Sequence, residues 1–147
     1  VFFITDLDST NGTFLNGERL ASQQERRLRD QDLIGMAGDT CDGGIIESLA
    51  EIAPMTVVRG NNDRTGAESL YPVEVPLKLE GFGFYLTLIV KEPQKPNDRV
   101  IATYQKQAVD IVVYGHSHVA FQKEIDNVLF FNPGGAGKRR FKVVPSI

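Results

Sequence analysis

Leu33-Ile34-Gly35-Met36-Ala37-Gly38-Asp39 is an apolar run that breaks at a glycine and ends on a carboxylate. Such a run suits a strand buried on both faces, with Gly38 opening the turn and Asp39 leaving the strand's carboxyl end. In open α/β sheets, ligands bind outside that end. Two later apolar runs break in the same way. Residues 55–58 precede Gly60-Asn61-Asn62-Asp63, and residues 111–114 precede Gly115-His116-Ser117-His118. Three strand ends thereby bring a carboxylate, an amide and two imidazoles to one rim, which outlines a metal site with Asp39 at its centre.

Downstream of Asp39 the pattern alternates between helix and strand. Ile45, Ile46, Leu49, Ile52 and Ala53 fall on one helical face, Glu47, Ser48 and Glu51 lie outside it, and Pro54 stops the helix. Residues 73–79 alternate as a half-exposed strand does, and 82–90 read as its hairpin partner across Glu80-Gly81. Pro93 and Pro96 mark a loop. Asp98 is placed to cap a helix burying Val100, Ile101, Tyr104 and Ala108. Residues 120–125 and 128–131 form two strands across Asp126-Asn127, a tight hairpin signal. This alternation predicts a layered α/β domain.

The amino-terminal part is harder to assign. Residues 1–5 read as a buried strand. Residues 18–30 read two ways. A helix would carry Leu20 and Leu28 among good helix formers such as Gln23, Gln24, Glu25, Arg26 and Arg27. β structure would use Asn16-Gly17 as a hairpin turn and Arg27-Leu28 as a short strand. The helix is preferred, because a strand at Leu33 parallel to residues 1–5 needs a crossover.

Bulk properties narrow the class. At 147 residues, the chain fits one domain with a real core. A net charge of -3 offers no basic field for nucleic acid. No apolar run approaches the roughly 18 residues needed to span a bilayer. The single cysteine, Cys41, excludes an internal disulfide and points to a reducing, cytoplasmic setting. The chain starts at Val1 without an initiator Met and stops abruptly at Ile147, so both ends are expected to be cut.

His116 and His118 are the chain's two histidines. In an extended segment, residues two apart point the same way, so both rings are expected to face one centre. Taken together, Ala37-Gly38-Asp39, Val58-Arg59-Gly60-Asn61-Asn62-Asp63, Val113-Tyr114-Gly115-His116-Ser117-His118 and Asn132-Pro133-Gly134 resemble the calcineurin-like metallophosphoesterases. The likeness is to their small bacterial and archaeal phosphodiesterase branch and runs from about Asp32 to Lys142. It implies an α/β/β/α sandwich, here expected to be incomplete at both ends, with a two-metal site at the strand ends. It also implies a phosphate-ester substrate. By that resemblance Asp39 would bridge both metals, His118 would bind the first, and Asn61 and His116 the second. Asn62 stands where many relatives have a substrate-contacting histidine, and Asp63 would orient it. Two such cations acidify a water and clamp the phosphoryl oxygens. Mixed oxygen and nitrogen ligands suit manganese, placed first here, and also iron, zinc, nickel or cobalt.

The chain departs from that family at two places. The family's first strand ends Asp-x-His, with both residues on the first metal, whereas Asp6-Leu7-Asp8 stands here. Asp6 and Asp8 are therefore metal candidates with an altered preference. Where the family carries a histidine-rich turn, this chain has Thr87-Leu88-Ile89-Val90, with Leu88 at the ligand's place. Leucine cannot coordinate, so the second ion is expected to bind weakly. Some members of the family have lost catalysis and act as scaffolds, which makes a protein partner the alternative expectation.

The expected organisation is one domain over 1–147, with residues 1–32 carrying a second likeness. Residues 6–30, including Ser9-Thr10-Asn11-Gly12-Thr13 and Asn16-Gly17, also resemble the late part of a forkhead-associated domain. That resemblance implies phosphothreonine binding near Thr10 and Asn11. Residues 3–10 resemble the opening of haloacid-dehalogenase-like phosphatases, a pattern the rest of the chain does not follow. Lys138-Arg139-Arg140 reads as a solvated loop. Phe82, Phe84, Tyr85, Phe121, Phe130 and Phe131 read as packing residues.

Overall fold

The computed structural model describes residues 3–5, 14–15, 18–19, 21, 23–27, 34–38 and 43–134. Its amino-terminal part consists of short strands: β1 (Phe3–Thr5), β2 (Phe14–Leu15), β3 (Glu18–Arg19) and β4 (Glu25–Arg27). β1 pairs antiparallel with β4, Phe3 opposite Arg27 and Thr5 opposite Glu25. β2 pairs antiparallel with β3, flanking Asn16-Gly17.

Among the described residues of 18–30, strands at Glu18–Arg19 and Glu25–Arg27 therefore stand where a helix was expected. Helix propensity among Gln, Glu and Arg is a weak preference. With two apolar residues at its disposal, Leu20 and Leu28, such a helix could bury little surface, and burial is what holds most helices in proteins. Among the described residues, β1 finds an antiparallel partner and does not lead into a crossover.

The first β-α-β unit follows. β5 (Ile34–Ala37) and β6 (Met55–Val58) are parallel, Ile34 opposite Met55 and Ala37 opposite Val58, and α1 (Gly43–Ala50) crosses between them. Ile46 and Ala53 are buried beneath this crossover, as the apolar periodicity predicts. The helix ends at Ala50, a turn before Pro54.

Next comes the hairpin of β7 (Glu74–Leu79) and β8 (Phe82–Thr87). Its turn places Glu80 at φ 51 and Gly81 at φ 88, the left-handed pair that a two-residue hairpin demands. A small hairpin of β9 (Lys91–Glu92) and β10 (Lys95–Pro96) then leads into α2 (Asp98–Lys106). Asn97, one residue before the expected Asp98, is the cap: its side chain accepts from the Val100 amide. Val100 is fully buried, whereas Ile101 is exposed and Ala108 lies beyond the helix end.

The chain then runs through β11 (Ile111–Tyr114), β12 (Phe121–Ile125) and β13 (Val128–Asn132). The β12–β13 turn is Asp126-Asn127, both left-handed. The central sheet has five strands in the order β12-β13-β11-β8-β7, with β8, β11 and β13 mutually parallel. Pro76 sits on the edge strand β7, where a missing amide donor does no harm to the ladder.

Tyr85, Val90, Val100, Val112, Tyr114 and Phe130 form the core of this half, with Phe121 packed against it; Phe82, expected to pack, is 54% exposed. The Tyr85 hydroxyl donates to Glu74 Oε2, and burial, aided by that carboxylate, pushes its pKa to about 12. Among the described residues, no helix is long and apolar enough to cross a membrane.

Candidate metal centre

The carboxyl ends of β5 and β11 meet at one rim. At position 115 a β-carbon would collide with the Ala37 carbonyl, so only glycine allows the carboxyl end of β11 to approach that of β5. On the same side, Gly35 lies beside Leu86 of β8, with a notional β-carbon 3.4 Å from Leu86 Cδ2. The turns that carry the sequence motifs are thereby drawn together.

From the end of β6, the chain passes through Arg59 and Gly60 to Asn61. The Asp63 carboxylate is buried, 4% exposed, and accepts from the Gly60 amide at 2.9 Å. This closes a tight loop around Asn61 and Asn62. Arg64 Nε donates to the Asn61 carbonyl at 3.0 Å, holding the loop from its far side. Arg59 binds the next segment through its amide to Pro72 and its guanidinium to the Ser69 carbonyl.

At the end of β11, His116 and His118 lie at φ 68 and φ 57. The segment is therefore a pair of left-handed residues around Ser117, and the simple i, i+2 alternation of an extended strand does not apply. Left-handed backbone costs a non-glycine residue about 1 kcal/mol or more, so it must be held in place. Asn132 does this. It is fully buried, its Nδ2 donates to the Gly115 carbonyl at 2.9 Å and lies 3.1 Å from Ser117 Oγ, and its Oδ1 accepts from Gly134. The Ser117 hydroxyl accepts from the Val119 amide at 3.2 Å.

Sequence reasoning quoted Asn132-Pro133-Gly134 without a role for the asparagine. The available signal was position: Asn132 ends a strand parallel to β11, so it arrives at the same rim.

The two motifs make direct contact. His116 Nδ1 lies 3.0 Å from Asn61 Oδ1, although 55 residues separate them. Two donors each about 2.1 Å from one ion, at right angles, stand about 3 Å apart. The pair therefore has the spacing of adjacent ligands, and its imidazole nitrogen and amide oxygen are suitable donors. With a proton on Nδ1, the same spacing makes a hydrogen bond, so the pair is competent in either state.

Asn61 is half-buried; Asn62, His116 and His118 are exposed to solvent. Asp6, Asp8 and Asp39, the remaining predicted ligands, lie outside the described residues, as do Thr10 and Asn11. Ala37 and Gly38, which lead into Asp39, are described and lie at this rim. Among the described residues, no group of three or more His, Cys, Asp or Glu side chains is gathered.

Leu88, which the sequence resemblance set at a ligand's place, is buried, 6% exposed; its carbonyl accepts from the Gly115 amide at 3.1 Å. It packs beside Gly115, 3.7 Å from the point a β-carbon would occupy.

Comparison with known proteins gives a consistent picture. A model of the calcineurin-like phosphoesterase superfamily domain matches residues 17–147. A probable metallophosphoesterase of Methanothermobacter thermautotrophicus is 29% identical over 111 residues, covering 73% of this chain and 62% of that protein. The chain thus spans less than two thirds of that relative's length. Among solved structures, wild-type Vps29 of Entamoeba histolytica, complexed with Zn2+, matches at TM-score 0.58 and 25% identity, over 78% of this chain and 63% of that one. An archaeal phosphodiesterase matches at TM-score 0.55 and 21% identity, over 71% and 67%.

Proposed function

Because the chain belongs to the calcineurin-like phosphoesterase superfamily, with a mixed α/β fold that matches it, we propose that it is a metal-dependent phosphoesterase acting on phosphodiesters. The observation that carries this reading is the Asn61–His116 contact at ligand spacing, formed where the ends of β5, β6 and β11 meet.

Asn61 and His116 would hold one divalent ion and His118 the other, with Asp39 between them and Asp6 and Asp8 completing the first site. Bound ions would supply Lewis-acid stabilisation of the phosphoryl oxygens and a nucleophilic water near neutral pH. Manganese is the first choice, and iron, zinc, nickel or cobalt suit the same donors. The protein's own residues contribute the positioning. Asp63 holds the loop that presents Asn61, and Asn62, solvent-exposed beside it, would meet the substrate phosphate. Asn132 keeps His116 in its left-handed conformation.

Metal-stripped protein reloaded with manganese is expected to hydrolyse bis-p-nitrophenyl phosphate. His116→Ala should lower the rate by more than about a hundredfold, since even the outer partners of metal ligands are worth ten- to a hundredfold. Absence of turnover with every one of the five metals would end this reading.

Leu88 favours a second one. Buried at the place of a ligand, it leaves the second ion short of a donor. In that case the protein is a scaffold of the same fold that binds a protein partner. Elemental analysis separates the two: a scaffold holds at most one ion per chain and shows no rate.

A further inference from the structure

A groove of about 250 Å³ opens beside His116. One wall is Ile89, Val90, Lys91, Glu92 and Pro93; the other runs from Gly115 through Val119 to Phe121, with Tyr114 buried at the base. Tyr114 and Phe121 pack with ring centroids 6.5 Å apart, tilted at 58°. Three features set the groove apart from ordinary surface.

The first is apolar exposure. Among the described residues, five large apolar side chains stand exposed, and two of them, Ile89 at 39% and Val119 at 54%, line this groove from opposite walls. Neither exposure comes from a loosely held segment. Asn97, the cap of α2, donates from Nδ2 to the Ile89 carbonyl at 2.7 Å and from its amide to the Val90 carbonyl at 3.1 Å. The opposite wall is tied through Ser117 to Val119 and Asn132.

The second is backbone strain. The left-handed Glu80, Asp126 and Asn127 belong to hairpin turns. Four others, Gln23, Lys91, His116 and His118, do not, and of these Lys91 at φ 71 and His116 at φ 68 line the groove. Strain of this kind persists where surrounding structure over-determines it, and it gathers at binding sites.

The third is continuity. His116 belongs to the groove and also contacts Asn61, so a phosphate ester held at that pair has the groove within reach of its ester arm. The groove's charges, Lys91 and Glu92, are opposite in sign, which suits a neutral arm.

We propose that this groove is the ester-arm subsite and that it takes an uncharged aromatic ring. An apolar cavity of roughly 150 Å³ accepts benzene, so the groove has room for a substituted ring. The proposal rests on the phosphoesterase reading for the position of the phosphate, but its test is a binding measurement that needs no turnover.

Manganese is unsuitable for line widths, so zinc-loaded protein is titrated with phenylphosphonate and with methylphosphonate while amide resonances are followed. Covering one ring face in a half-open groove should favour phenylphosphonate by about tenfold. Its shifts should centre on Ile89 and Val119, and Val119→Asp should erase the preference. Equal affinities, a preference that survives Val119→Asp, or no binding of either compound overturns the subsite. Should the preference appear without hydrolysis of bis-p-nitrophenyl phosphate, the groove stands and the catalytic reading falls. Hydrolysis without the preference gives the converse.

Discussion

β8 and β11 are parallel neighbours in the same sheet, paired from Ile111 opposite Phe84 to Tyr114 opposite Thr87. Both are largely buried, and both leave the sheet at the same edge. Their continuations are chemically opposite. β11 hands over to Gly115-His116-Ser117-His118, a polar, left-handed turn held by Asn132. β8 hands over to Leu88-Ile89-Val90, in which Leu88 and Val90 are buried. The sheet thus brings two neighbouring strand ends to one edge, one continuing in polar side chains and the other in buried apolar ones. A fold supplies positions, and the residues standing at them decide whether a position does chemistry.

The comparison can be broken most severely at the junction of the two ends. Gly115→Ala drives a methyl group into the Ala37 carbonyl, where backbone meets backbone and cannot readily give. A loss of about 3 kcal/mol is expected, at the upper end of overpacking costs, together with separation of the β5 and β11 ends. Denaturant unfolding measures the first. A variant as stable as the parent would mean that the two ends are not in contact.

Leu88→His converts the closed end into a copy of the open one. Placing an imidazole where leucine is buried should cost about 2 kcal/mol in metal-free protein. Added zinc should recover part of that stability and raise the bound metal per chain. No gain in metal by elemental analysis would show that position 88 does not face the centre.

The smallest effect concerns Tyr85, on the closed strand. Its pKa, raised to about 12 by burial and then by the Glu74 carboxylate, exceeds the ordinary value of 10. The folded state thus holds this proton more tightly than the unfolded state. Its contribution to stability is complete below pH 10 and is lost as pH rises from 10 to 12. Burial also raises Tyr114, so phenolate absorbance should show two late-titrating tyrosines, and Tyr85→Phe should remove one of them together with its share of the alkaline loss of stability.

The central strands were legible in the sequence because each is a short apolar run bounded by turn residues, from Met55–Val58 to Ile111–Tyr114. The hairpins at Glu80-Gly81 and Asp126-Asn127 were legible for a local reason too: their left-handed turns draw on residues suited to that backbone. Residues 18–30 misled because propensity favoured a helix, while the choice depended on how much apolar surface a helix could bury. The left-handed backbone of His116 and His118 was equally hidden, being imposed by Asn132 from another strand.

Local pattern alone determined the central strands, their hairpin turns and the residue types gathered at their carboxyl ends, since each rests on neighbours a few positions away. Only the tertiary structure decided that Asn61 meets His116, that Gly115 must clear Ala37, that Leu88 closes its end of the sheet and that Ile89 and Val119 face one groove. These are contacts between residues distant in the chain, set by sheet order and by the fit of one strand end against another, and no local sequence window contains them.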